Sequence, residues 1–131
     1  MKIISLITLT LFGIACFNIK KQSHFLPIEI FNKSSFNVDT FYFMLNNYKR
    51  YVFDIKKGDS IVLNINTDSI KTDRDLFLQT FAIFQISTDI RLSKHQLYYT
   101  DLGGELDEKY TITFKKDTSI DIRPQFRYIS N

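Results

Sequence analysis

Turn-forming residues interrupt this chain about every ten residues, a spacing that suits short strands. Asn32-Lys33-Ser34-Ser35, Asn46-Asn47, Lys56-Lys57-Gly58-Asp59, Gly103-Gly104 and Lys116-Asp117 are such interruptions. The segments between them alternate. Ile61, Leu63 and Ile65 are offset from Val62, Asn64 and Asn66, and Tyr110, Ile112 and Phe114 from Thr111, Thr113 and Lys115. A period of two places one set of side chains on each face of a strand. Tyr51, Phe53 and Ile55 are expected to share one face in the same way. Lys56 to Asp59 joins that strand to the next as a hairpin, with Gly58 free to take positive φ.

Other segments are less regular. Ile28 to Phe31 is a short apolar run, and Phe36 to Leu45 starts with alternation before turning aromatic on both faces at Phe41, Tyr42 and Phe43. Leu76 to Ile86 lacks Gly and Pro and is long enough for a helix. Its three phenylalanines are poor helix formers, however, and Gln79 and Gln85 share parity with Phe81, so it reads as a strand. Ser87 to Gln96 is expected to be a short helix or irregular loop, Leu97 to Thr100 a short strand, and Ile120 and Ile122 the last strand before Pro124. About seven to eight short strands predict an all-β fold, an antiparallel β-sandwich. The pattern is similar to immunoglobulin-like or transthyretin-like sandwiches of exported bacterial proteins. The Cys…Trp…Cys signature of true immunoglobulin domains is absent, and a small β-barrel is the alternative architecture.

The amino terminus addresses the chain. Lys2 provides a positive start, Ile3 to Ala15 is uncharged and largely apolar, and the small Ala15 precedes Cys16, the sole cysteine. A charged start, an apolar middle and a small residue at the end describe an export signal. Ile14-Ala15-Cys16 resembles the lipobox of bacterial lipoproteins, with Gly13 standing where the usual box has Leu. The resemblance implies cleavage before Cys16 and lipid on its thiol and new amino group. Residues 1–15 are then a signal peptide, 16–26 a lipid-anchored tether and 27–131 the sandwich domain. Simple secretion and an uncleaved anchor are the competing readings. The uncharged run from Ile3 to Ile19 is shorter than the ~20 residues a spanning helix needs, and Lys20 and Lys21 outnumber Lys2 on the wrong side. Phe17 stands where an Asp would retain a Gram-negative lipoprotein in the inner membrane. By resemblance this favours the outer membrane, and Lys20 and Lys21, opposite in sign to the acidic tract that sends some lipoproteins to the cell surface, favour its periplasmic leaflet; a soluble secreted or periplasmic form is the alternative.

Removing the signal leaves 116 residues, one domain's worth, with sixteen Lys+Arg against fourteen Asp+Glu. That balance gives no reason to expect a nucleic-acid partner. With Cys16 consumed by lipid there is no thiol for a disulfide or a metal. Thirteen Phe and seven Tyr must supply much of the core.

Little catalytic chemistry is readable. His24 lies in the tether and His95 in a polar segment, so a nucleophile–base–acid triad is not expected. No zinc-like cluster of His, Cys and carboxylates is present. Asp68, Asp73 and Asp75 share one loop, but Lys71 and Arg74 interrupt the charge and the spacing is not that of a calcium loop. Asp101, Glu105, Asp107 and Glu108 around Gly103-Gly104 read as an acidic turn. No catalytic residue, cofactor or metal is assigned.

Surface recognition remains. Tyr42, Tyr48, Tyr51, Tyr98 and Tyr99 are the candidate interaction surface, since tyrosine offers contact area at low entropic cost. The plain alternative places each at the core with its hydroxyl at the rim. Lys49, Arg50, Lys56 and Lys57 read as charges protecting an edge hairpin. The preferred expectation is a non-enzymatic envelope lipoprotein, held to the membrane by lipid and binding another envelope protein. An inhibitor or immunity-type lipoprotein acting through Asn66 to Asp75 is the second reading. A carbohydrate- or ligand-binding module is the third, which a planar row of exposed aromatics would favour.

Overall fold

A computed structural model describes residues 24–71, 76–100 and 109–125. The signal segment, Cys16, the acidic stretch 101–108, and Asp73 and Asp75 lie outside these residues. Eight strands follow in order: β1 (Phe25–Asn32), β2 (Asn37–Leu45), β3 (Tyr48–Ile55), β4 (Ser60–Asn66), β5 (Leu76–Gln85), β6 (Arg91–Thr100), β7 (Lys109–Phe114) and β8 (Ile120–Gln125). A single 3₁₀ turn, Thr67–Ser69, follows β4 and is capped by the Asn66 side chain.

The strands form two four-stranded sheets, ordered β4-β1-β7-β8 and β3-β2-β5-β6. Every neighbouring pair is antiparallel except β1 and β7. Neither sheet closes on itself, so the fold is a β-sandwich and not a barrel. The first strand lies beside the fourth and the seventh. An immunoglobulin sandwich pairs its first strand with its second, so the order here differs from it.

Alternation builds the core between the sheets. Leu26, Ile28 and Ile30 of β1 and Tyr110, Ile112 and Phe114 of β7 face Phe41, Phe43 and Leu45 of β2 and Leu78, Ala82 and Phe84 of β5, all buried. Phe114 carries the contact across, with its ring 5.2 Å from Phe41 and 5.6 Å from Phe84, edge to face in both cases. Thr80 is buried in the same layer and donates its hydroxyl to the Gln96 carbonyl at 3.2 Å.

Each end of the sandwich is tied by asparagine. At one end Asn32 is buried, and its Nδ2 donates to the carbonyls of Phe36, Ile55 and Lys56 at 2.9–3.2 Å. Its Oδ1 accepts from the Ser34 backbone N–H and hydroxyl. One side chain thus joins the β1–β2 loop to the β3–β4 turn. At the other end Asn46, in the left-handed region at φ 50°, accepts from the Phe77 N–H and donates to the Lys71 carbonyl. Asn47 donates to the Ser69 carbonyl and accepts from the Lys71 N–H. The β2–β3 hairpin thereby grips the start of the β4–β5 connection. Thr67 also donates twice to the His24 carbonyl, so the chain emerges from its tether at this same end.

Three local expectations change. The first strand starts at Phe25, ahead of the expected Ile28, and already buries Leu26. Ile55 does not share a face with Tyr51 and Phe53. Asp54 takes φ 56°, which breaks the period of two, so Tyr51 and Phe53 point outward while Ile55 is buried. Arg91–Thr100 is one continuous strand paired residue by residue with β5, where a helix or loop was expected over Ser87 to Gln96. The polar run Ser93-Lys94-His95-Gln96 misleads because β6 is an edge strand, which keeps polar side chains exposed even on its inward parity.

Candidate functional site

The two outer faces of the sandwich differ in chemistry. On the β4-β1-β7-β8 sheet the outward positions carry ion pairs and hydroxyls. Lys109 pairs with Glu29 at 3.1 Å, and Asp121 lies 2.8 Å from Arg123 and 3.5 Å from Lys115, with Thr111 and Thr113 between. Phe25, 61% exposed at the start of β1, and Val62, 59% exposed on β4, are its exposed large apolar side chains, four register positions apart, and the half-buried Phe31 shares their face beneath the Lys33 ammonium. Such a face is what an antiparallel sheet presents to water.

The β3-β2-β5-β6 sheet departs from that rule. Its registers place Tyr51, Tyr42, Phe81 and His95 side by side in one row across all four strands. The next row is Phe53, Thr40, Ile83 and Ser93, and the row on the other side is Lys49, Met44, Gln79 and Leu97. Phe77 and Tyr99 pair beyond it. Phe53 is 65% exposed, Leu97 59%, and Tyr51 and Tyr99 57% each, so these side chains are far from core burial. Charge is confined to the rim, with Lys49 on β3 and an Asp39–Arg91 ion pair at the far end.

The rings pack against one another without forming a level platform. Tyr42 and Tyr51 are 4.9 Å apart and tilted by 38°, and Phe81 and His95 are 6.2 Å apart at 65°. Tyr51 and Phe53 are nearly parallel, at 7° and 6.2 Å. The surface is a corrugated mixture of ring edges, ring faces and the aliphatic side chains of Ile83, Met44 and Leu97.

Of the five tyrosines singled out from the sequence, Tyr42, Tyr51 and Tyr99 stand on this face. Tyr48 and Tyr98 turn inward and pack against the core, Tyr48 beside Phe43 and Tyr98 beside Tyr110. Phe53, Phe81, Ile83 and Leu97 join the face without having been singled out. Their parity with Tyr51, Tyr42 and Tyr99 along the strands was the available signal.

Among the described residues, reactive groups are not assembled. His95 stands on the face with its ring against Phe81, and no hydrogen bond joins it to Ser93 two residues away. Among the described residues no group of three or more His, Cys, Asp or Glu is placed to hold a metal ion, and no helix is long and apolar enough to cross a membrane. Two carboxylates lie below their ordinary pKa range, both away from this face. The Ser119 hydroxyl and N–H hold Asp117 down. At Asp121, burial pushes the pKa up but is outweighed by the hydrogen bond and charge of Arg123 and by Lys115.

No family model matches the chain, and no curated protein matches it. A solved structure, the NMR structure of a protein from Eubacterium rectale, is similar at 15% identity and a TM-score of 0.48, covering 81% of this chain and 93% of that one.

Proposed function

We propose that this chain is a non-enzymatic cell-envelope lipoprotein that binds another protein through the outer face of its β3-β2-β5-β6 sheet. The observation that carries the reading is the contrast between the two outer faces. Both sheets alternate, and one outer face is largely polar and ion-paired, with the exposed Phe25 and Val62 set four register positions apart, while the other exposes Tyr51, Phe53, Leu97 and Tyr99 around the rings of Tyr42 and Phe81. A contiguous exposed apolar patch with a polar rim is the mark of a protein-contact surface.

Tilted rings interleaved with Ile83, Met44 and Leu97 suit an irregular protein partner. A sugar needs ring faces lying level, and the near-parallel Tyr51–Phe53 pair is the feature that speaks for that second reading. The inhibitor reading is weakened because the described part of its loop is held by Asn46 and Asn47. In the lipoprotein reading Cys16 carries the lipid. Eight residues then separate it from Phe25, nine steps of chain that span at most ~30 Å when extended.

A photo-crosslinking amino acid placed at Tyr51 or Leu97 of the full chain, in membranes of the producing cell, tests this. Adducts to a protein should form from these positions and not from Val62 or Thr111 on the opposite sheet. Adducts equally abundant from both faces, or none from Tyr51 and Leu97, would remove the assignment.

A further inference from the structure

We infer that the occupant of this face is a second copy of the same chain, packed sheet to sheet about a two-fold axis that runs along the strands between β2 and β5. The inference rests on the protein-binding reading and names its partner.

Three observations support it. The first is size. Four strands at ~4.8 Å spacing and the ~27 Å from Phe77 to Gln85 give a face of ~500 Å² in plan. Two copies therefore bury ~1,000 Å² before side-chain relief is counted, enough for a specific interface. Packing two apolar sheet faces is also what the molecule does in its own core, with strands kept within ~30° of aligned.

The second is complementarity under this symmetry. The axis lays β3 of one copy over β6 of the other and β2 over β5, row on row. Phe53 then covers the small Ser93, Tyr42 covers Phe81, and Lys49 covers Leu97. Phe53 over Ser93 sets a large side chain against a small one, as a packed layer requires, while the central row stacks ring on ring. The two Lys49 side chains do not meet, because the axis carries the partner's Lys49 to the opposite edge, over Leu97. An isologous interface must satisfy this self-complementarity.

The third is the position of the tether. His24 leaves the sandwich at the end where Thr67 binds it, so an axis along the strands sends both tethers the same way. Two copies anchored in one membrane therefore meet in this orientation, with the anchor raising their effective concentration. The other in-plane two-fold would point the tethers in opposite directions.

The arrangement makes a distance prediction. Within one chain Tyr51 and His95 are three strands apart, ~14 Å, whereas across the axis each lies over the other at the ~10 Å of packed sheets. The full chain carrying Tyr51→Cys and His95→Cys, in membranes and treated with a short bifunctional maleimide of ~10 Å reach, a span matched to packed sheets, should give a covalent dimer. Neither single variant should exceed the wild type, whose own band reports any free Cys16 thiol. Adding Phe53→Lys, which stacks an ammonium on the partner sheet at an exposed site, should abolish the dimer. A dimer from Tyr51→Cys alone, or none from the pair, overturns the inference. If the pair gives none while a photo-crosslinker at Tyr51 labels a different protein, the protein-binding reading survives and the second copy does not. If neither labels, both fall.

Discussion

Tyr51 stands directly across the β2–β3 ladder from Tyr42, with ring centroids 4.9 Å apart, on the side of the sheet that faces away from the core. Cross-strand aromatic pairs of this kind contribute ~0.2–1 kcal/mol to a sheet. Tyr51 keeps 57% of its surface open, so folding recovers little of its burial energy. Tyr51→Ala should therefore cost under ~1 kcal/mol in urea denaturation while weakening association through the face. A loss above ~2 kcal/mol would mark Tyr51 as part of the structural core instead.

Asn32 should behave in the opposite way. Asn32→Ala withdraws the donor from the carbonyls of Phe36, Ile55 and Lys56 and the acceptor from Ser34. Leaving buried polar groups unpaired costs ~1–3 kcal/mol each, less where water reaches them, so a total near ~3 kcal/mol is expected. Asn32→Asp keeps the shape but turns a donor into an acceptor facing three carbonyls, and it should be at least as damaging at neutral pH. A melting temperature within a degree or two of wild type for either variant would contradict the role given to Asn32.

Acid should destabilise the fold through the β7–β8 turn. Asp117 and Asp121 both have folded pKa values below the unfolded ~3.9, so the stability they contribute is present above that value and lost as pH falls below it through the lower folded values. Asp121→Asn should thus lower the melting temperature at neutral pH, and the gap to wild type should close on acidification. The effect is small, because Asp117 is exposed to water and the Arg123 and Lys115 partners of the half-buried Asp121 are themselves largely solvated. A gap that widened with acid would reverse the sign of the argument.

The all-β class and most strands were legible because period-two alternation reports directly on a sheet with one wet face. Tyr110-Ile112-Phe114 is of that kind, whereas Leu76 to Ile86 was read as a strand from its phenylalanines and the parity of its glutamines. Alternation says which side chains share a face, but not which face is inside. Phe41, Tyr42 and Phe43 illustrate this: both parities are aromatic, and the register with β5 sends Tyr42 outward. Ile55 was misplaced because a left-handed Asp54 has no sequence signature as strong as a glycine. The polar β6 was hidden for a different reason, since an edge strand needs little apolar character. The candidate face joins residues from four strands, and no spacing along the chain announces it.

Lipidation has its own test. Cys16→Ser should abolish incorporation of a palmitate analogue and shift most of the chain out of the membrane fraction, or leave it with its signal attached. Two or three acyl chains, each gaining ~0.8 kcal/mol per buried CH₂, hold a protein far better than one. Cys16 lies nine residues before β1, so the fold should not depend on it. Equal labelling of the serine variant would refute lipidation at this residue.

Hydroxyl-radical footprinting of the full chain in its membrane tests most directly whether the aromatic sheet face is a contact surface. Oxidation of Tyr42, Tyr51, Phe53 and Leu97 should be suppressed in the membrane and rise when the protein is diluted in detergent, while Val62 on the opposite sheet should oxidise alike in both. Equal oxidation of Tyr51 and Phe53 in the two conditions, or protection appearing at Val62 instead, would contradict the account.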